Sequence, residues 1–225
     1  MMDICYYCTT KSKATEKLDH QELEKLGHNC NQAYFQKGDK IIVEKAMSVS
    51  IVFVIEGLVK VHTMGPNKEQ ILKIVKGPSY LGIPTTFGAK TNEYSATAIS
   101  ETKICFIEFN LFKSLIKENG EFALEIITDL CESEIHSYKK YINQVQKQGP
   151  GKIAEALLFF SEKIFESEHY VLPLTRNELG DLTCTSRETI SRILSDFSKN
   201  DLIKINRSDV TILNKKLLEN ISKTG

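Results

Sequence analysis

The chain has 225 residues, 41% of them hydrophobic, which is enough for one large domain or two small domains that each bury a core. Its 29 Lys and Arg side chains balance its 29 Asp and Glu side chains, so no net charge draws the whole molecule to a polyanion or a membrane surface. The N-terminus lacks the apolar core of a signal peptide, and no run of about 18 apolar residues occurs. We therefore expect a cytoplasmic protein.

A short helix is predicted over residues 18–27, and short β-branched and aromatic runs follow, separated by Gly and Pro. The predicted strands cover residues 40–43, 50–55, 58–62, 70–75, 95–99 and 103–107. Turn-forming pairs such as Gly65-Pro66 and Gly77-Pro78 lie between them. Strands this short and this closely spaced favour a compact antiparallel barrel or roll over a βαβ sheet.

After Asn110 the pattern becomes helical, with apolar residues recurring every three or four positions from Phe122 to Val145. This helix is about twice as long as the average of ~11–12 residues, and it is amphipathic. We expect it to pair with the same helix of a second copy in a homodimer. The segment 148–151, Gln-Gly-Pro-Gly, is expected to end it and to act as a hinge.

The last part of the chain has the pattern of a winged helix-turn-helix. A helix over 152–166 and a strand within 170–174 precede a capping box formed by Thr175 and Glu178. Ser186 can cap a second helix that runs to about Lys199, and residues 201–213 have the pattern of a hairpin. The complete chain is thus predicted to be α+β, with a roll over 1–110 that includes a leading cysteine segment, a dimerisation helix over 111–148 and a DNA-binding domain over 149–225.

The helix after Ser186 separates its residues into two faces. Ile190, Ile193, Leu194 and Phe197 follow helical spacing and are expected to pack inward. The other face carries Arg187, Glu188, Ser191 and Arg192, a combination that can bond guanine through Arg and cytosine through Glu. The alternative is a solvated face with an ordinary ion pair between Glu188 and Arg192, worth ~0.2–0.5 kcal/mol. The capped helix before it and the hairpin after it favour the DNA-reading interpretation.

The stretches TRNELGDL (175–182) and TSRETISRIL (185–194) resemble the helix-turn-helix of the Crp/Fnr superfamily of bacterial transcription regulators. The resemblance covers the whole chain and includes QKGD (36–39) and EGLVK (56–60) of the roll. It implies a cyclic-nucleotide-binding-like jelly roll, a long dimerisation helix, a winged helix-turn-helix and RNA polymerase as a partner. It argues against an enzyme, for which the sequence offers no catalytic grouping.

The resemblance also implies roles for particular residues. Arg187, Glu188 and Arg192 occupy base-reading positions, for a palindromic DNA site whose half-site is similar to TGTGA. The expected phosphate contacts are Thr175, Arg176, Asn177, Ser186 and Arg207. One departure is Cys184, which stands in the turn where the family usually has Gly, and cysteine is poorly suited to positive φ.

The sensor part of the roll departs from the cyclic-nucleotide-binding members. In those members a Gly-Glu-Leu turn and an Arg-Ser-Ala turn hold the phosphate, whereas this chain has Gly82-Ile83-Pro84 and Tyr94-Ser95-Ala96. A buried phosphate without a cation is costly, and Glu93 would repel it. We therefore expect that cyclic AMP is not the effector.

Two alternatives for the signal remain open, an iron-sulfur cluster and regulation without a ligand. A cluster needs four thiolates, and the candidates are Cys5, Cys8, Cys30 and Cys105. Cys5 and Cys8 resemble the first ligand pair of the oxygen-sensing branch of the family, but the third ligand is missing from its usual place. The alternative, which the missing third ligand favours, is that Cys5 and Cys8 are ordinary exposed thiols and that Cys105 is a buried strand residue. His62 is expected at the surface, and several aromatic residues of the roll are expected either to fill its core or to line a pocket.

Overall fold

The structure is a computed structural model that describes residues 10–225. The contacts between its residues divide it into two compact units. The first unit comprises the residues up to Met64 together with Leu72–Ile135. The second unit comprises Gly65–Ile71 and His136–Gly225.

From residue 10 onward the structure has a 3-10 helix at Thr15–Lys17, an α-helix, eight strands, a second α-helix and a long third α-helix, with a π-helical segment at Thr85–Ala89 between the sixth and seventh strands. Their bounds are α1 His20–His28, β1 Cys30–Phe35, β2 Lys40–Ile42, β3 Ser50–Glu56, β4 Leu58–Met64, β5 Glu69–Lys76, β6 Ser79–Leu81, β7 Ser95–Ala98, β8 Thr102–Glu108, α2 Phe109–Glu118 and α3 Gly120–Gln146. The α1 helix begins at a capping box, in which Asp19 and Glu22 each accept a hydrogen bond from the other's backbone amide.

The strands form two four-stranded sheets, in the orders β1-β8-β3-β6 and β2-β7-β4-β5. Strand β3 is buried on both of its faces because successive side chains alternate between two cores. Val52 and Val54 belong to the core that both sheets share, while Ile51, Phe53 and Ile55 belong to a core with the helices of this unit. This double burial explains why β3 is apolar throughout and does not alternate with polar residues.

The predicted roll is confirmed, with each of the six predicted strands present to within two residues at either end. Strands β1 and β6 were not predicted. Strand β1 contains Asn31, Gln32 and Ala33, which are poor strand formers, and β6 has only three residues. The expectation for His62 was wrong, because its side chain is buried and its Nε2 lies 2.8 Å from the Thr97 hydroxyl. This hydrogen bond satisfies the ring inside the sheet.

The remaining elements are α4 Gly149–Phe159, its π-helical continuation Phe160–Phe165, β9 His169–Val171, α5 Arg176–Thr183, α6 Arg187–Lys199, β10 Ile203–Asn206, β11 Asp209–Ile212 and α7 Lys215–Thr224. The long helix α3 has 27 residues and ends at Gln146, just before the predicted Gln-Gly-Pro-Gly segment. Gly149 and Pro150 instead form the first turn of α4, where a proline fits because its missing N–H would have no helical partner.

The second unit packs its helices against a small three-stranded sheet in the order β10-β11-β9. Tyr170 of β9 joins this sheet to the helical core. Its hydroxyl donates to the carbonyl of Leu157 at 2.9 Å, and its ring stacks on Phe165 with the ring centroids 5.4 Å apart. Helix α7, which was not predicted, packs against α4 and buries Leu218.

Within the described part of the chain, none of the helices combines the length and the apolar character that crossing a membrane requires.

Candidate nucleic-acid interface

Helix α5 begins at a complete capping box, as the sequence predicted. The Thr175 hydroxyl accepts from the backbone amide of Glu178 at 3.2 Å, and the Glu178 carboxylate accepts from the backbone amide of Thr175 at 2.9 Å. The same carboxylate also accepts from the Thr175 hydroxyl at 2.9 Å. These bonds fix where the first helix of the motif starts.

The turn after α5 adopts the left-handed conformation even though it lacks glycine. Cys184 has φ 55° and ψ 41° and ends the helix with its N–H bonded to the carbonyl of Gly180. The turn instead requires a glycine four residues earlier, at position 180, because there is no room there for a side chain. A Cβ there would lie 2.6 Å from the carbonyl oxygen of Thr185, which is closer than real Cβ atoms approach. The backbone of α5 and the turn can approach this closely only because residue 180 has no side chain.

Helix α6 begins at Ser186, whose hydroxyl accepts from the backbone amide of Thr189 at 3.2 Å. Its inner face is as predicted, with the four apolar side chains buried: Ile190, Ile193, Leu194 and Phe197. Burial of this face fixes the rotation of the helix. The opposite face therefore points away from the core of the unit.

The exposed face presents Arg187, Glu188, Ser191 and Arg192 together. Arg192 makes an ion pair with Asp196, with 3.6 Å between the guanidinium and the carboxylate and with 68% of the Arg192 side chain exposed. The alternative pair with Glu188 is not formed. The pKa of Glu188 is held below its ordinary value by a hydrogen bond from its own backbone amide, and further by the Ser186 hydroxyl and by Arg187. Its carboxylate is thus ionised at neutral pH and can accept hydrogen bonds.

The hairpin of β10 and β11 is tied to the start of α5. The Arg176 guanidinium donates to the backbone carbonyl of Arg207 at 3.0 Å, and burial lowers the pKa of Arg176. Arg207 lies in the hairpin turn with φ 55°, and its side chain is exposed. Asn177 is exposed as well. Three of the residues expected at phosphates are thereby placed near one another: Arg176, Asn177 and Arg207.

The candidate cluster ligands divide into two groups. Cys5 and Cys8 lie outside the described residues. Cys30 and Cys105 are buried on adjacent strands, where Cys30 pairs with Ile107 and Cys105 pairs with Gln32. The two residues are therefore diagonal neighbours on one face of the sheet. Among residues 10–225, no three His, Cys, Asp or Glu side chains are grouped so as to hold a metal ion.

The two turns that correspond to the phosphate-binding turns lie side by side in the first unit. The Tyr94 hydroxyl accepts from the backbone amide of Gly82 at 2.8 Å, and burial raises the pKa of Tyr94. Ile83 is buried, and the Ser95 hydroxyl accepts from the backbone amide of Glu44 at 3.1 Å. The amide of Gly82, a donor at a position that would face a phosphate, is therefore already bonded within the protein.

Some of these contacts were missed from sequence. The spacing of Arg192 and Asp196, four residues apart on one helix, was a sufficient signal for their ion pair. The bonds from Arg176 to Arg207 and from Gly82 to Tyr94 join positions 31 and 12 residues apart. Their spacing in the sequence gave no signal for either bond.

Comparison with known proteins found a matching family model for a segment in each half of the chain. A family model for the cyclic nucleotide-binding domain matches residues 32–119, and one for the Crp-like helix-turn-helix domain matches residues 151–221. A CRP-like cAMP-activated global transcriptional regulator of Mycobacterium tuberculosis is 24% identical over 79% of this chain and 82% of its own length. The nitrogen fixation regulation protein FixK of Bradyrhizobium diazoefficiens is 22% identical over 96% of this chain and 92% of its own.

Comparison with solved structures finds the same fold in a protein related by name to one of these relatives. The solved structure of FixK2 from Bradyrhizobium japonicum superposes with a TM-score of 0.79 at 17% identity, covering 87% of this chain and 98% of that one. At this identity the superposition establishes the fold alone.

Proposed function

Since the chain belongs to the Crp/Fnr superfamily of bacterial transcription regulators, we propose that it binds DNA in a sequence-specific manner, as a homodimer on a palindromic site with TGTGA-like half-sites. The observation that carries this proposal is the division of α6 into two faces. One face is buried along its length, and the other presents two arginines and an ionised glutamate within its first two turns. The first turns of a recognition helix are the part that enters the major groove.

The three base readers in this proposal are Arg187, Glu188 and Arg192. An Arg side chain can donate two hydrogen bonds to O6 and N7 of guanine, and a carboxylate can accept from N4 of cytosine. The ion pair between Arg192 and Asp196 does not oppose this role. Both side chains are at least half exposed, and such surface pairs contribute little stability, so Arg192 can exchange Asp196 for a base at small cost.

The phosphate contacts in this proposal surround the same helix. Thr175, Arg176 and Asn177 lie at the beginning of α5, Ser186 lies at the beginning of α6, and Arg207 lies at the tip of the hairpin. Helix N-termini attract phosphates through their free amides and the helix dipole. Because the chain has no net charge, these local groups supply the attraction to DNA.

The homodimer in this proposal forms along α3. Residues 124, 131, 138 and 145 alternate with 128, 135 and 142 in steps of four and three, which is the heptad spacing of a two-helix seam. Five of these residues are large and apolar, and each is between 49% and 66% exposed: Leu124, Ile135, Tyr138, Ile142 and Val145. A second copy of α3 would cover them and set the separation of the two α6 helices. RNA polymerase is the further partner implied by the family.

We also propose that cyclic AMP does not control this regulator. Tyr94 stands where the cyclic-nucleotide-binding members have arginine, its hydroxyl occupies the amide of Gly82, and Ile83 replaces their glutamate. Loss of that arginine removes the charge that offsets the cost of burying a phosphate in those members, and this disfavours the nucleotide.

Selection of bound sequences from a random DNA pool by the full chain tests the proposed function. The expected result is a palindrome of two TGTGA-like half-sites whose centres are one helical turn apart, about 10–10.5 base pairs. Recovery of sequences without any shared half-site, at a salt concentration that suppresses nonspecific binding, would contradict it.

A further inference from the structure

The last turn of helix α5 leaves four backbone carbonyls without partners inside the helix, those of Gly180, Asp181, Leu182 and Thr183. The turn that follows satisfies two of them. The carbonyl of Gly180 accepts from the backbone amide of Thr185 at 2.9 Å, and the carbonyl of Thr183 accepts from the Thr185 hydroxyl at 3.2 Å. Donors for the carbonyls of Asp181 and Leu182 come from other parts of the chain.

Those donors are two glutamine side chains, which lie 111 and 38 residues earlier in the sequence. Gln70, near the beginning of β5, donates from its Nε2 to the carbonyl of Asp181. Gln144, near the end of α3, donates from its Nε2 to the carbonyl of Leu182 at 3.4 Å. The Oε1 of Gln70 also accepts from the thiol of Cys184 at 3.4 Å. We call the two bonds from the glutamines to the carbonyls the α5 carbonyl cap.

The strand and the helix that carry the two glutamines are also joined to each other. The Lys140 ammonium on α3 donates to the carbonyl of Ile71 on β5 at 3.2 Å. The Lys68 ammonium, just before β5, lies 3.4 Å from the Asp181 carboxylate. All of these residues belong to the second unit. The end of α3, the beginning of β5 and the end of α5 are therefore bonded pairwise, and α5 cannot turn relative to α3 without breaking at least one of these bonds.

The α5 carbonyl cap holds the helix-turn-helix away from the face proposed to meet DNA. With the cap formed, the outward face of α6 stays exposed at all four of its polar residues, Arg187, Glu188, Ser191 and Arg192. The proposed dimer seam stays exposed as well, at Tyr138, Ile142 and Val145 on the same segment of α3 as Gln144. The cap therefore connects the base-reading motif to the seam without covering either surface.

From these contacts we infer that Gln70 and Gln144 are positioning residues, which hold the helix-turn-helix at one angle to the dimer helix and so set the half-site spacing that the dimer accepts. The reason is geometric. Two recognition helices can enter successive major grooves only if each is held at a fixed distance and rotation from the dimer seam. Neither glutamine contacts DNA in this role. The inference rests on the proposed function, because it requires a dimer on a palindrome.

The test compares binding of the full chain to the selected palindrome and to derivatives with one or two extra base pairs between the half-sites. Each inserted base pair moves one half-site by about 3.4 Å and rotates it by about 34–36°. Fluorescence anisotropy measures the Kd for each DNA. We define the spacing penalty as the ratio of the Kd for a derivative to the Kd for the palindrome. For the unchanged protein we expect a penalty of at least tenfold with two inserted base pairs.

The double variant Gln70→Ala with Gln144→Ala removes the cap. A hydrogen bond of this kind changes an equilibrium constant by a factor of about 2–13, so losing two bonds should lower the spacing penalty at least fourfold. The base preferences within each half-site should stay as they are, because the outward face of α6 is unchanged. The matched control is Gln146→Ala, which removes the same side chain from an exposed position on α3 and should keep the full penalty.

Gln70→Glu isolates one bond of the cap. The new side chain has nearly the same volume and can still accept from the Cys184 thiol, but its carboxylate cannot donate to the carbonyl of Asp181. It should lower the spacing penalty at least twofold. Far-UV circular dichroism and Tm check the folding of each variant, and Gln70→Glu decides the question if the double variant does not fold.

Three results would overturn the inference. The first is an unchanged spacing penalty in the folded variants. The second is an equal loss of base preference and of spacing penalty, which would mean that the variants disturb α6 itself. The third is an equal effect of Gln146→Ala. If the unchanged protein selects the palindrome and shows the penalty, these results remove only this inference. If it shows no palindrome or no penalty, the proposed function is contradicted and the inference fails with it.

Discussion

Replacing Ile135 by Glu should dissociate the proposed dimer. Ile135 lies on the heptad positions of α3 and is 52% exposed in the single chain. Full burial of an isoleucine side chain contributes about 1.5–3 kcal/mol, so covering the exposed half contributes ~1 kcal/mol in each copy and ~2 kcal/mol in the dimer. Losing ~2 kcal/mol raises the Kd of the dimer roughly 30-fold. The two new carboxylates at the seam repel each other and make this a lower limit.

Sedimentation equilibrium over a range of protein concentrations measures this Kd, and far-UV circular dichroism checks that the variant is folded. His136→Glu is the matched control, because it introduces the same side chain at the next position, about 100° around the helix from Ile135 and exposed. An unchanged dimer Kd for Ile135→Glu, or equal weakening by both variants, would refute the assignment of the seam.

Three further expectations follow from the described contacts. Cys131 is exposed and occupies a heptad position, so mild oxidation should cross-link two copies through it, and Cys131→Ser should not cross-link on a denaturing gel. Gly180→Ala places a Cβ 2.6 Å from the Thr185 carbonyl and should lower the free energy of unfolding by about 1–3 kcal/mol in urea denaturation, whereas Gly88→Ala, with open space around it, should not. Thr175→Ala removes the cap of α5 and should lower the same free energy by about 1 kcal/mol, with Thr175→Ser retaining most of it.

The elements that could be predicted from the sequence are those with a local signal. The capping box at Thr175 and Glu178 and the buried face of α6 depend on residues three or four positions apart, and both are present in the structure as expected. The burial of His62 could not be predicted, because it depends on a hydrogen bond to Thr97 on a neighbouring strand. Non-local contacts of this kind leave no periodic signal in the chain.

The same distinction between local signals and non-local contacts applies to the candidate site. The outward face of α6 follows from helical spacing, and the resemblance to the Crp/Fnr superfamily then selected Arg187, Glu188 and Arg192 on that face as base readers. The bond from Arg176 to Arg207 could not be proposed in this way, because it joins residues 31 positions apart in the sequence.

The central claim is that α6 reads bases, and the binding of Glu188→Ala to a library of single-base variants of the selected palindrome tests it most directly. Glu219→Ala, the loss of an equal charge on α7, is the control. The account predicts that Glu188→Ala loses discrimination at one base pair of each half-site, by about 1–3 kcal/mol, and keeps its preferences elsewhere. A uniform loss of affinity on every sequence, or retention of all preferences, would contradict the account.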